Sequence, residues 1–231
     1  MENIVIVTIK EWNISNYFKL KDIYKDMYKF HLLTSEDEVN YESLKKLNPK
    51  YVFFPHWSSI ISKEIYSKFE CVVFHMTDLP FGRGGSPLQN LIQNGIYETK
   101  ISALKVEKGI DTGDIYIKAD LDISKGSAQE IFINASSIVF NKMIPRFLKE
   151  DLTPIKQNGK VTIFKRRKKE QSMISDLNAK SLLNMYDFIR MLDAQGYPHA
   201  YLELGNVKIK FSQVKEDYNK LVGRFEVIDN E

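Results

Sequence analysis

The sequence holds one cysteine, Cys71, among 231 residues. No intrachain disulfide can form, and no set of Cys and His has the spacing of a zinc site. Flanked by Val72 and Val73, Cys71 is expected to be a buried, inert thiol. No apolar run approaches the roughly 18 residues of a membrane span. The start, MENIVIVTIKEW, lacks the basic lead and long apolar stretch of a signal peptide, so a soluble cytoplasmic protein with no membrane partner is expected. Excess charge of one sign is also missing. The 33 basic and 30 acidic residues leave +3, a balance that does not point to a general nucleic-acid binder. The exception is the run Lys165-Arg166-Arg167-Lys168-Lys169, which reads as a solvated turn or an anion contact. Internal repeats and low-complexity tracts are absent.

What is present is a chain with 43% apolar residues, enough for a substantial core. Ile4 to Ile9, Tyr51 to Phe54 and Cys71 to Phe74 are short apolar runs rich in β-branched and aromatic residues. Strands buried on both faces read this way. A stretch of helical character follows the first, and Ser58 to Phe69 leaves room for a helix between the other two. Strands spaced by helices predict an α/β fold with a parallel-rich sheet. Polar clusters follow all three runs: Lys10 to Asn13, Pro55 to Ser59, and His75 to Asp78. Ligands collect outside the C-terminal ends of such strands, so a site is expected at that edge. Further strands are predicted over Thr99 to Glu107 and Ile115 to Leu121, with helices from about Pro87 to Gln93 and over Ser127 to Leu148. Pro154 and Asn158-Gly159 suggest a boundary, giving a catalytic domain over 1–154 and a small C-terminal subdomain over 155–231. In the latter, a strand (Val161 to Phe164), a helix (Ala179 to Leu192) and a two-strand ribbon (Ala200 to Leu204, Val207 to Phe211) are expected.

Two motifs carry chemistry. The first is Phe74-His75-Met76-Thr77-Asp78-Leu79-Pro80-Phe81-Gly82-Arg83-Gly84-Gly85-Ser86-Pro87; the second is Gly109-Ile110-Asp111-Thr112-Gly113-Asp114. Together, at this separation, they resemble the signature of the folate-dependent formyltransferases, a Rossmann-like fold. The resemblance implies N10-formyltetrahydrofolate as donor, no metal, and His75 and Asp111 as catalytic residues. The chemistry suits them. Formyl transfer passes through a tetrahedral carbon bearing an oxyanion and needs a group to take a proton from the attacking amine. A cleft-facing His beside a carboxylate can do this. The family pattern carries an Asn two residues before the His; here that residue is Val73. His56 and Ser58 are the expected substitutes for its amide, although His56 equally reads as a loop cap.

By the same resemblance, the pterin ring is expected against Trp57, Ile60 and Ile61, with Asp111 also contacting the cofactor. Three acceptors are considered: a nucleotide-linked amino sugar, an aminoacyl-tRNA and an aminoacyl group on a carrier protein. A C-terminal part of about 77 residues and the near-neutral charge argue against tRNA, and a chain that stands alone favours the sugar over a carrier protein. The wording of the motifs and Phe188 to Pro198 are similar to sugar N-formyltransferases acting on a UDP-4-amino-4,6-dideoxy sugar in bacterial glycan biosynthesis. In that reading no nucleic acid is a partner. Lys10, Trp12, Thr77, Arg83 and Gly84 contact the nucleotide sugar, and a homodimer is left open. A non-catalytic folate or nucleotide binder is the rival, favoured by Val73.

Overall fold

A computed structural model describes residues 1–230. The chain begins β1 (Glu2–Val7), α1 (Glu11–Tyr24), β2 (Tyr28–Leu33), α2 (Tyr41–Leu47), β3 (Pro49–Phe54), α3 (Lys63–Tyr66) and β4 (Cys71–His75). It continues through β5 (Arg83–Gly84), α4 (Pro87–Gln93), β6 (Glu98–Lys105) and β7 (Ile115–Asp122). A long helical stretch follows as α5 (Ala128–Ile138), a π-turn (Val139–Met143) and α6 (Ile144–Lys149). After β8 (Ile163–Phe164) come α7 (Leu182–Arg190), β9 (Ala200–Leu204), β10 (Val207–Asp217) and β11 (Lys220–Asp229).

The chain divides into two compact units. The first comprises Met1–Arg83, Lys100–Leu121 and Ile133–Ile163; the second comprises Gly84–Thr99, Asp122–Phe132 and the chain from Phe164 onward. The division differs from a single boundary at 154/155. Ile155 exchanges backbone hydrogen bonds with Ile115, and Thr162 bonds Pro80 and Arg83, which ties residues 155–163 to the first unit.

The principal sheet has the order β2-β1-β3-β4-β6-β7. β1 is parallel to β2 and β3, β3 is parallel to β4, and β6 runs antiparallel to β4. This is the α/β, parallel-rich architecture expected. Ile4, Val5, Ile6, Val7, Val52 and Phe53 have no exposed surface, which is why their runs are apolar at every position and not only at alternate ones. Val5, Val7, Leu44, Val52, Phe54, Ile65 and Cys71 form one cluster. Cys71 is buried, and burial pushes its thiol up to about 12, so it stays protonated and unreactive.

From β1 the chain first lays β2 on one side, then returns to lay β3 on the other. The strand order therefore reverses between β1 and β3, where open α/β sheets form a crevice at the C-terminal edge. Elsewhere the elements depart from expectation in places. β2 was hidden in the region read as helical: its apolar Tyr28, Phe30 and Leu32 alternate with Lys29 and His31, an edge-strand pattern. The helix expected over Ser58 to Phe69 is a single turn. The long helix is broken by a π-turn beside Pro145, which has no N–H for the preceding turn.

The second unit holds a three-stranded antiparallel sheet, β11-β10-β9. The expected ribbon lacked its third strand because Gly223 and the charges of β11 dilute its alternation. Here Arg190 is 1% exposed. It pairs with Asp187 at 2.7 Å and donates to the carbonyls of Ile123 and Gly126, both at 3.0 Å.

Candidate functional site

His75 ends β4. Its register partner on β6 is Ser102, whose hydroxyl donates to the Thr77 carbonyl. The chain then turns through the cis Leu79–Pro80 peptide and comes back to the imidazole, where His75 Nε2 lies 2.8 Å from the Gly82 carbonyl. A carbonyl only accepts, so Nε2 carries the hydrogen. In the neutral ring Nδ1 is then a lone pair, and it faces Asp111 Oδ2 at 3.5 Å. Two acceptors repel each other. The contact is attractive only where a hydrogen lies between the two atoms. Both side chains are mostly buried, Asp111 being the more open at 16% against 9%.

The turn presenting Asp111 is tight. Asp111 has φ 53 and Gly109 φ 114, both left-handed. Glycine takes such angles freely and aspartate at a modest cost, which contacts of the turn offset. A Cβ at Gly113 would collide with the Lys105 carbonyl, which presses the turn onto β6. Gln157 secures it from the other side: Nε2 donates to the carbonyls of Asp111 and Gly113, both at 2.8 Å. Its Oε1 accepts from Arg83 Nε at 3.1 Å and Nη2 at 2.8 Å.

At the β1/β3 reversal, the Asn13 amide donates to Thr8 Oγ1 at 2.9 Å and to the Pro55 carbonyl at 3.1 Å, joining the two strand ends. Beside it, Trp12 meets His56 edge to face at 5.6 Å, and Lys10 Nζ lies 5.5 Å from the indole centre. His56 has φ 53. Burial, helped by the charge of Lys10, pushes its imidazole down to about 4, so it is neutral at pH 7. Burial also lowers Lys10.

The structure brings His75 and Asp111 together. The remaining sites predicted from sequence are placed as follows. Val73 packs apolar surface against Leu79, Leu104 and Ile115 and offers no donor. Thr77 has no exposed surface and shares the Gly82 carbonyl with His75, so it supports the loop; that differs from the substrate contact expected. Arg83, expected at the nucleotide sugar, donates to Gln157 Oε1. Gly84 has φ 104 and lies so close to the Phe164 carbonyl that a Cβ would collide there. Trp12 is largely buried and its ring is engaged by Lys10 and His56, which leaves little face for a stacked base. Trp57 and Ile61 pack against the core cluster, whereas Ile60 is 94% exposed, so the three do not form one slot. Asn13 and Gln157 were not foreseen. Gln157 lay beyond the expected boundary, and a lone Gln carries no sequence signal.

Comparison with known proteins fits this geometry. The family model described as "Formyl transferase" matches residues 3–147, and "Methionyl-tRNA formyltransferase, C-terminal domain" matches residues 169–228. This chain belongs to the formyl transferase family. The family's enzymes use N10-formyltetrahydrofolate, and membership removes the support for a non-catalytic binder. A solved structure, methionyl-tRNA formyltransferase from Clostridium thermocellum, is 52% identical, with TM-score 0.95, covering 99% of this chain and 100% of that one. A curated methionyl-tRNA formyltransferase of Campylobacter jejuni (strain 81-176) is 29% identical over 182 residues, 78% of this chain and 57% of the relative. The chain thus spans under two thirds of the length of the curated relatives it matches. A 4-N formyltransferase from Francisella tularensis shares the fold, with TM-score 0.67 over 100% of this chain and 98% of that one, at 16% identity.

These findings overturn the nucleotide-sugar acceptor and the expectation that no nucleic acid is a partner. The sugar enzymes resemble this chain only at the level of fold, whereas the tRNA enzymes resemble it in sequence. The expectation failed on the C-terminal part. About 77 residues were judged too short for a tRNA-type domain, yet residues 169–228 match one. No helix among the described residues is long and apolar enough to cross a membrane.

Proposed function

We propose that this chain transfers a formyl group from N10-formyltetrahydrofolate to the amino group of an aminoacyl-tRNA, methionyl-tRNA being the acceptor. The observation that carries this reading is the 52% identity, over nearly the full length of both chains, to a protein described as a methionyl-tRNA formyltransferase. The exposed cations Lys165, Arg166, Lys168 and Lys169 support it, since a polyanion is attracted by such a run.

The bound donor supplies an activated formyl carbon. Asp111, the more open member of the pair, takes the proton released as the amine attacks the formyl carbon, directly or through one water; as the tetrahedral carbon collapses and its bond to N10 breaks, the proton goes to N10 of the departing tetrahydrofolate. His75 cannot turn away, because the Gly82 carbonyl holds Nε2. Val73 has no donor for the oxyanion. His56, neutral and at the neighbouring strand end, is the residue we assign to that task. Apolar surface on Val73, Trp57 and Ile61 suits a pterin ring, and Ile60 adds nothing to it.

The test supplies N10-formyltetrahydrofolate with methionyl-tRNA, uncharged tRNA, free methionine or a UDP-linked amino sugar. Product is read by mass and by folate absorbance. Formylation of methionyl-tRNA alone is expected. Turnover on the sugar with none on the tRNA would sink the reading.

A further inference from the structure

We infer that Gln157 is a positioning residue for the His75–Asp111 pair. The inference rests on the reading of formyl transfer at these two residues, and goes beyond it by assigning a role to a side chain outside the two motifs. The imidazole is held at its two ends by two separate loops. Gly82 offers its carbonyl to Nε2 at 2.8 Å, and the turn 109–113 offers the Asp111 carboxylate to Nδ1 at 3.5 Å. The carboxamide of Gln157 joins those loops. It reaches the second through the carbonyls of Asp111 and Gly113, and the first through Arg83, the residue next to Gly82.

Every hydrogen-bonding position of the amide is used: two donated hydrogens and two accepted bonds. Reversing the amide would set NH2 against the guanidinium and its oxygen against two carbonyls, so its orientation is determined by its partners. The backbone of this segment is anchored as well. Ile155 pairs with Ile115 through bonds of 2.8 and 2.9 Å, and Thr162 Oγ1 accepts from the Gly82 N–H at 2.6 Å. Gln157 is therefore a fixed strut. It helps hold Asp111 at φ 53, a left-handed conformation that costs a non-glycine residue some strain. Its effect on the reaction passes through the carboxylate, and a displacement of about 1 Å at such a group can cost about 10²-fold in rate.

Two variants test this in the full chain. Gln157→Glu keeps the shape and the Arg83 contact but loses both donors; Gln157→Ala loses all four bonds. In each, kcat is expected to fall by about 10- to 100-fold while KM for both substrates changes less than about threefold. In an Asp111→Asn background the same substitutions are expected to cost less than about twofold, because the residue they position is already disabled. A full loss in that background, or unaltered kcat in the single variants, overturns the inference. Wild-type protein that formylates no aminoacyl-tRNA would instead overturn the functional reading. The positioning role is then read without substrate, from a crystal structure of Gln157→Ala. There the His75 Nδ1 to Asp111 Oδ2 separation is expected to widen, and an unchanged separation overturns it.

Discussion

Two largely buried pairs in this molecule set a basic side chain against a carboxylate, one within a single helix and one between two distant motifs, and they differ in how tightly they are held. Arg190 and Asp187, in the second unit, are 2.7 Å apart with side chains 1% and 9% exposed. Tyr97 donates to the other oxygen of Asp187 at 2.7 Å, and the rings of Tyr97 and Tyr186 lie 5.9 and 5.3 Å from the guanidinium. His75 and Asp111, in the first unit, are 3.5 Å apart, and the carboxylate is partly open. The first pair is short, enclosed and charge-assisted. The second is longer, at 3.5 Å, and its carboxylate is the more open group. Its rigidity comes from the neighbouring backbone and Gln157. The tight pair ties its unit together; the loose one is the pair to which the proposed function gives the proton transfer.

Breaking the tight pair should have the largest effect. Arg190→Leu leaves Asp187 buried without its partner and is expected to cost about 3–5 kcal/mol, lowering Tm by roughly 10 °C. Urea and thermal unfolding of the full chain measure this, and an unaltered midpoint would remove the distinction drawn between the pairs. The converse holds for the loose pair. His75→Ala or Asp111→Ala should lower kcat by about 10²-fold or more while moving Tm by only a few degrees. Near-normal turnover in both variants would end their assignment.

His56 sharpens the contrast through pH. Its folded value, about 4, lies below the ordinary 6.5, so the unfolded chain binds more protons between those limits. Stability is therefore expected to fall as pH drops from about 6.5 to about 4, by up to about 3 kcal/mol. His56→Phe should abolish that part of the decline; urea midpoints that stay parallel for the two proteins across the range would show that His56 is not buried as a neutral ring. The same variant should lower kcat with little change in KM if the ring donates to the oxyanion. The smallest effect is expected at the basic run. Lys165→Glu together with Lys169→Glu should weaken methionyl-tRNA binding and make it less dependent on log salt, by about 0.9 for each phosphate the variant no longer neutralises, without altering kcat at saturating tRNA. Identical salt slopes would exclude the run from the tRNA interface.

Apolar runs and alternating polarity were enough to place β1, β3, β4, β6 and β7, because a strand enclosed on both faces must be apolar throughout and a half-enclosed one at every second residue. The pairing of His75 with Asp111 was also legible. Both lie in motifs that resemble the family's signature, and the second is constrained by turn geometry, as Gly109 and Gly113 show. β2 and β11 were not legible, since edge strands mix charge into their pattern. The acceptor was misjudged from the size of the C-terminal part, a quantity that carries no information about which surface it presents.

What the sequence by itself determined was five of the six strands of the principal sheet and the two motifs, because burial and left-handed turns demand particular residues at particular places. What only the tertiary structure decided was how those motifs are held. Gln157 meets Asp111 across 46 residues and Arg83 across 74, and Asn13 reaches Pro55 across 42. Such contacts leave no local pattern, because an amide can bond any carbonyl that folding brings within reach, and the chain's path alone selects which one it meets.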